Sequence, residues 1–275
     1  MSVPGAVSVI IRARDEAAAL TGCLDALRAQ SGAPELEVIY VDLGSGDGSA
    51  QLAAARGATV LALDAFSFGE ALNRGADQAA HEILVALSAH VVLPHAGWLA
   101  RAIHALEADS ALACASGDVY GPDGEPLREP VRQDAALARR RPEWGYANGA
   151  GAFRARLWRE RPFRADLPGC EDKEWALHWL DRGYGCLIDP ELAVVHDHTH
   201  DPLRAIYGRA RREAQGYAAF LDRGPQSAAQ LARTWWSDRR FYDSALRARL
   251  SPRRAARLLG DHAGRRASAR IASGD

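Results

Sequence analysis

The residues most able to do chemistry in this chain gather in a few short stretches, each placed just after an apolar run. Val7-Ser8-Val9-Ile10-Ile11 breaks into Arg12-Ala13-Arg14-Asp15-Glu16, and Val38-Ile39-Tyr40-Val41 breaks into Asp42-Leu43-Gly44-Ser45-Gly46-Asp47-Gly48-Ser49. A strand interior does not accept Asp, two Gly and another Asp, so the second polar stretch is a loop. Farther on, Ile83-Leu84-Val85-Ala86-Leu87 ends in Ser88-Ala89-His90, and Ala193-Val194-Val195 ends in His196-Asp197-His198-Thr199-His200. Between them, Glu171-Asp172 precede an amphipathic segment. A positioned carboxylate can take a proton from a reacting hydroxyl, although the same two acids can simply cap a helix. His196 and His198 alternate along an extended chain and point to one side, where they can share an ion or form a plain polar loop. Polar groups at the C-terminal ends of parallel strands sit where open α/β sheets bind ligands.

The elements that must position these groups follow from periodicity. Strands are expected at 7–11, 38–41, 59–63, 83–87, 112–120, 186–188 and 193–195. Helices are expected at 17–30 (Leu20, Leu24 and Leu27 at helical spacing), 49–56, 70–80, 98–108 and 174–181. The β-α-β-α-β-α-β order of the first 87 residues implies a mostly parallel sheet flanked by helices, with right-handed crossovers. Residues 121–145, rich in Pro, Gly and Arg, read as a surface excursion, and 144–151 as a small-residue loop. From Pro225 the composition changes: residues 225–275 carry eleven Arg against four Asp, a net charge of about +7. We therefore expect domains at 1–224 and 225–275, the second a basic helical appendage. It suits a dimer surface, an acceptor site or a basic helix on a membrane face.

Composition narrows the function. The chain of 275 residues is 48% hydrophobic, enough for a full core, and its formal net charge of −1 gives no global attraction to nucleic acid. Lys173 is the sole lysine. Cys23, Cys114, Cys170 and Cys186 lack C-x-x-C spacing and read as reduced thiols rather than a zinc knuckle. With no secretory signal pattern and no apolar run long enough to span a bilayer, the expected location is the cytoplasm.

Six segments in series resemble family 2 glycosyltransferases with the GT-A fold: VSVIIRARDE, VDLGSGDGS, FSFGEALNRGA, EILVALSAHVVLP, GCEDKEWALHWLDRGYG and VVHDH, over about residues 5–220. The resemblance implies an inverting transfer of sugar from a nucleoside diphosphate donor to an acceptor hydroxyl. Asp172 would be the general base and Glu171 an acceptor-orienting group. Arg12, Arg14, Glu16, Asp42, Gly44, Ser45, Asn73, Arg74, Ser88, Asn148, Arg209 and Arg212 would surround the nucleotide sugar. Trp144 and Tyr146 could stack on a sugar face. Most relatives carry D-x-D where this chain has Ser88-Ala89-His90. The expected divalent metal, Mn2+ or Mg2+, would then be held by His90, His196 and His198, or the site would be metal-independent with arginines neutralising the diphosphate. Two alternatives remain open from sequence: a non-catalytic nucleotide-sugar-binding module, and a retaining or lipid-phosphate-acceptor transferase of the same fold. A homodimer through the C-terminal helices is a further expectation.

Overall fold

The computed structural model describes residues 5–32, 35–63, 67–195, 200–237 and 244–273. Strands β1 (Val7–Ala13), β2 (Leu36–Asp42), β3 (Thr59–Ala62) and β4 (Ile83–Ser88) alternate with helices α1 (Ala17–Arg28), α2 (Ser49–Ala55) and α3 (Phe68–Gln78). There follow α4 (Trp98–Ala108), β5 (Leu112–Ser116), β6 (Val131–Gln133), α5 (Ala135–Arg140), β7 (Ala150–Arg154), α6 (Ala155–Glu160), α7 (Glu171–Leu180) and β8 (Gly185–Ile188). The last helices are α8 (Leu203–Ala218), α9 (Ala228–Ser237), α10 (Ala245–Leu250) and α11 (Pro252–Ser273). By contact the chain divides into two compact units. One is Met1–Ala165 with Asp172–Asp197, and the other is Asp166–Glu171 with His198–Asp275.

In the first unit the strands form one mostly parallel sheet in the order β3-β2-β1-β4-β7-β5-β8-β6. β7 runs antiparallel to both β4 and β5, and β6 antiparallel to β8. Alternation along β1 feeds two cores. Val7, Val9 and Ile11 pack with Leu20, Leu24 and Leu27 of α1 and with Trp98 and Ile103 of α4. Ile10 packs on the opposite face with Ala71, Leu72 and Ala76 of α3, in the core that also holds Trp175 and Trp179 of α7. The register sets Ala13 beside Asp42 and Arg12 beside Ser88, so β1, β2 and β4 end at one rim.

Four expectations are corrected. The strand from Leu112 stops at Ser116, because Asp118 turns back to accept the Tyr120 N–H at 3.0 Å. Residues 121–145 are more than an excursion: they include β6 and α5, the latter capped by Asp134, which accepts the Leu137 N–H at 2.7 Å. Ala150 and Gly151, expected to end the loop 144–151, instead begin the fully buried central strand β7. Of 193–195, only Val195 pairs, in an isolated bridge with Val92.

In the second unit, α8 and α11 lie closely together. A Cβ on Gly260 would stand 2.4 Å from the Tyr207 carbonyl oxygen, and one on Gly264 would stand 2.3 Å from that of Arg211. Larger residues at these two places would drive the helices apart. Arg254, buried to 2% exposure, ties α9 to α11 by donating to the carbonyls of Thr234 and Trp235.

Candidate functional site

The rim at the ends of β1 and β2 is built by loops that hold each other. Asp15 adopts a left-handed backbone (φ 55°), a conformation Asp tolerates better than most residues. Its N–H donates to Ser45 Oγ at 3.0 Å, and its carboxylate accepts the Gly46 N–H at 2.8 Å. Asp47 accepts the Ala17 N–H at 2.8 Å and the Ser49 N–H at 3.0 Å, so one carboxylate caps the starts of α1 and α2 together. These bonds, first from the Ser49 side chain and then from the Ala17 amide, hold the Asp47 carboxyl below its ordinary range. Ser49 Oγ in turn accepts the Glu16 N–H at 3.2 Å. Neither Asp15 nor Asp47 was among the expected site residues. Their signal in sequence is an acid or Ser just before a helical run.

Within this frame Asp42 is buried to 9% exposure and accepts the Ser45 N–H at 3.1 Å. Gly44 has φ 81° and exposes its backbone, and Ser45 is half-buried. Arg12 places its guanidinium carbon 5.2 Å from the ring centre of Phe68, while Arg14 stays exposed. The carboxylate of Glu16 meets Nδ1 of His90 at 3.3 Å. Glu16, Ser45, Asp42, Arg12, Ser88 and His90 thus come from three neighbouring strand ends.

The candidate base belongs to the same rim through two backbone bonds. Asp172, the second residue of α7, accepts the Asn148 N–H at 3.1 Å and the Lys173 N–H at 2.7 Å. The next residue in that loop, Gly149, accepts the Ser88 N–H at 2.8 Å. Lys173 Nζ reaches the Gly145 carbonyl at 3.1 Å, pinning the loop to α7, a role the sequence did not suggest. Glu171 opens α7 and is buried to 4% exposure.

Other expected residues have different surroundings. The Asn73 amide donates to the Phe163 carbonyl at 2.9 Å and accepts from the Trp158 indole at 2.9 Å and the Phe163 N–H at 3.0 Å. It latches α3 to the chain after α6. Arg74 is exposed on α3. Trp144 and Tyr146 cannot stack on a sugar face, because both are core residues. Tyr146 lies 6.1 Å from Trp175 and 6.4 Å from Phe153, and burial raises its hydroxyl well above the ordinary phenol value. In the second unit Arg209 pairs with Asp201, and Arg212 is exposed on α8. His196 and His198, like Phe66 of the third segment, lie outside the described residues. Among the described residues no group of three His, Cys, Asp or Glu is arranged to hold a metal. All four cysteines are free and buried, and burial pushes the Cys23 thiol up to about 12. No described helix is long and apolar enough to cross a membrane.

Solved structures repeat this architecture. A mannosyltransferase from Pyrobaculum calidifontis, solved with GDP-Man and Mn2+, is 21% identical; the match covers 98% of this chain and 76% of that one, with a TM-score of 0.60. Glucosyl-3-phosphoglycerate synthase from Mycobacterium tuberculosis, solved with UDP, is 20% identical over 78% of this chain and 79% of its own, at a TM-score of 0.57. The same synthase has been solved with Mn2+, UDP and glucosyl-3-phosphoglycerate, at 19% identity and a TM-score of 0.58. At such identities the likeness speaks for the fold. No curated protein matches the chain in sequence. Residues 8–167, more than half of the chain and including the β1, β2 and β4 rim, match the model of glycosyl transferase family 2, and the chain belongs to that family.

Proposed function

We propose that this protein transfers a hexose from a nucleoside diphosphate sugar to an acceptor hydroxyl, with inversion at the anomeric carbon and Asp172 as general base. The observation that carries the reading is the pair of hydrogen bonds from Asp172 through Asn148 and Gly149 to Ser88. They tie the one candidate base to the strand ends that bear Asp42, Arg12 and Glu16. Asp42 and Ser45 offer acceptors and donors for base and ribose, and Gly44 lets the backbone approach them. Arg12 and Arg14 supply positive charge beside them. In the reaction the acceptor oxygen forms a bond to the anomeric carbon as its proton passes to Asp172. The bond from that carbon to the diphosphate breaks, and the nucleoside diphosphate leaves with the electron pair. The Asn148 and Lys173 N–H groups fix the Asp172 carboxylate for that proton.

His90 and Glu16 fit a divalent cation that accepts both nitrogen and oxygen. One imidazole and one carboxylate already meet there, a donor pair that suits Mn2+ better than Mg2+. A metal bound at this pair would neutralise charge on the leaving diphosphate. That the Pyrobaculum mannosyltransferase was solved with both GDP-Man and Mn2+ supports this reading. Ser88 and His90 in place of two aspartates favour one rival, a module that binds nucleotide sugar without turning it over.

The test is Asp172→Asn, which keeps the shape and removes the base. Release of nucleoside diphosphate, measured across acceptor hydroxyls, should fall by about 10²- to 10⁴-fold while donor binding stays within a few-fold. Wild-type turnover in the variant would end the assignment. Donor binding by the wild type with no release for any acceptor would favour the binding module.

A further inference from the structure

The second unit contains a groove that no part of the proposed reaction uses. It has a volume of about 520 Å³ and is lined by Tyr207 and Arg211 of α8 and by His262, Ala263, Arg266 and Ala267 of α11. That volume falls within the range of small-molecule sites. Each helix contributes its polar pair at i and i+4, one turn apart on one face: Tyr207 with Arg211, and His262 with Arg266. The close seam at Gly260 and Gly264 brings the two faces together, and the alanines form a floor without bulk.

The lining chemistry has one sign. Two guanidinium groups, a phenol and an imidazole converge, and no carboxylate lines the groove. Neighbouring arginines in this unit are neutralised: Arg209 by Asp201, and Arg265 by Asp261 at 2.9 Å. Among the described residues, Arg211, Arg266 and the Tyr207 hydroxyl make no hydrogen bond or ion pair. The Nδ1 atom of His262 is shielded from solvent and lacks a protein partner. Guanidinium forks match the oxygens of a phosphate in pairs, and charge-assisted bonds of that kind are the strong ones.

We propose that this groove binds a phosphate monoester, with Arg211 and Arg266 gripping the dianion and Tyr207 donating its hydroxyl beside the His262 ring. A soluble phosphorylated molecule and a phospholipid headgroup present the same chemistry. The proposal does not depend on the transferase reading.

The experiment uses the whole chain. Inorganic phosphate is titrated by calorimetry against wild type, the double variant Arg211→Ala/Arg266→Ala, and the control Arg204→Ala, which removes an exposed cation of α8 that does not line the groove. We expect phosphate binding by wild type and the control, and at least about tenfold weaker binding by the double variant. Melting of all three proteins without phosphate checks that they fold, and His262→Ala gives a second variant should the double one unfold. Equal affinity in the double variant and wild type, or no binding by wild type at millimolar phosphate, overturns the proposal. Vesicles of phosphatidylcholine with and without phosphatidic acid separate the sources. Capture by phosphatidic acid that the double variant loses supports a lipid headgroup. Phosphate binding without capture supports a soluble ligand. The shift in melting produced by a nucleoside diphosphate is read in the same variants and in Asp42→Ala, so failure of the groove and failure of the donor site are told apart.

Discussion

The rim of β1, β2 and β4 and the layer beneath β5 and β7 use polar residues in opposite ways. At the rim, Asp15, Ser45 and Asp47 lie at or near the surface and, with the buried Ser49, hold loops to one another. In the layer, single polar side chains are sunk among aromatic rings and latch one segment to the next. Glu174, at 7% exposure, forms a two-pronged pair with Arg161, and Asn73 makes three bonds around Phe163 and Trp158. Water can replace a lost partner at the rim but not in the layer. Damage to the layer should therefore appear as lost stability, and damage to the rim as lost ligand binding.

Replacing Glu174 by Ala is the most severe break, because it leaves the Arg161 guanidinium half-buried and unpaired. A loss of about 3 kcal/mol is expected, read as a drop in melting temperature on the order of 10 °C. A variant that melts with wild type would remove the distinction between layer and rim. Asn73→Ala should cost about 2 kcal/mol by denaturant unfolding, since the Trp158 indole and both Phe163 backbone groups lose their partner together. If Asn73→Ala instead weakened nucleotide binding with stability unchanged, Asn73 would belong to the rim after all.

Asp47→Asn should change stability at neutral pH by less than either of these. Its signature is in acid. The carboxyl is held below its ordinary range, so its contribution is complete above that range and is lost as pH falls through the lowered value. The variant should lose less stability than wild type between mildly and strongly acidic pH. An identical acid limb in both proteins would show that the Asp47 cap is not formed. The smallest effect is expected from thiol reagents. The buried Cys23 thiol, pushed up to about 12, should stay unlabelled in the folded protein at pH 8 and react on unfolding.

The same division explains what the sequence made legible. β1, β2 and β4 are runs of largely branched residues that break abruptly at Arg12, Asp42 and Ser88, so both the strands and the rim could be read directly. The other half of the sheet lacks that contrast. β5 is Leu-Ala-Cys-Ala-Ser and β7 is Ala-Gly-Ala-Phe-Arg. Small residues carry little β-propensity and no clear alternation, so the strand expected from Leu112 was drawn too long and β7 was not expected as a strand at all. Tyr146 misled for a related reason: an aromatic residue in a loop of glycines resembles a sugar platform, yet its ring fills the core against Trp175. Asp172 was singled out by its motif. Its tether to Ser88 runs entirely through backbone N–H and C=O groups, which leave no trace in side-chain identity.

The most direct test of the account is the melting temperature of the purified protein with UDP, GDP and their sugars, with and without Mn2+, in wild type and in Asp42→Ala. A ligand that binds the folded state raises the melting temperature by mass action, so the acceptor need not be known. The account predicts a clear rise with one nucleotide family, larger with Mn2+ and abolished in Asp42→Ala. No rise with any nucleotide, or a rise untouched by the loss of Asp42, would contradict it.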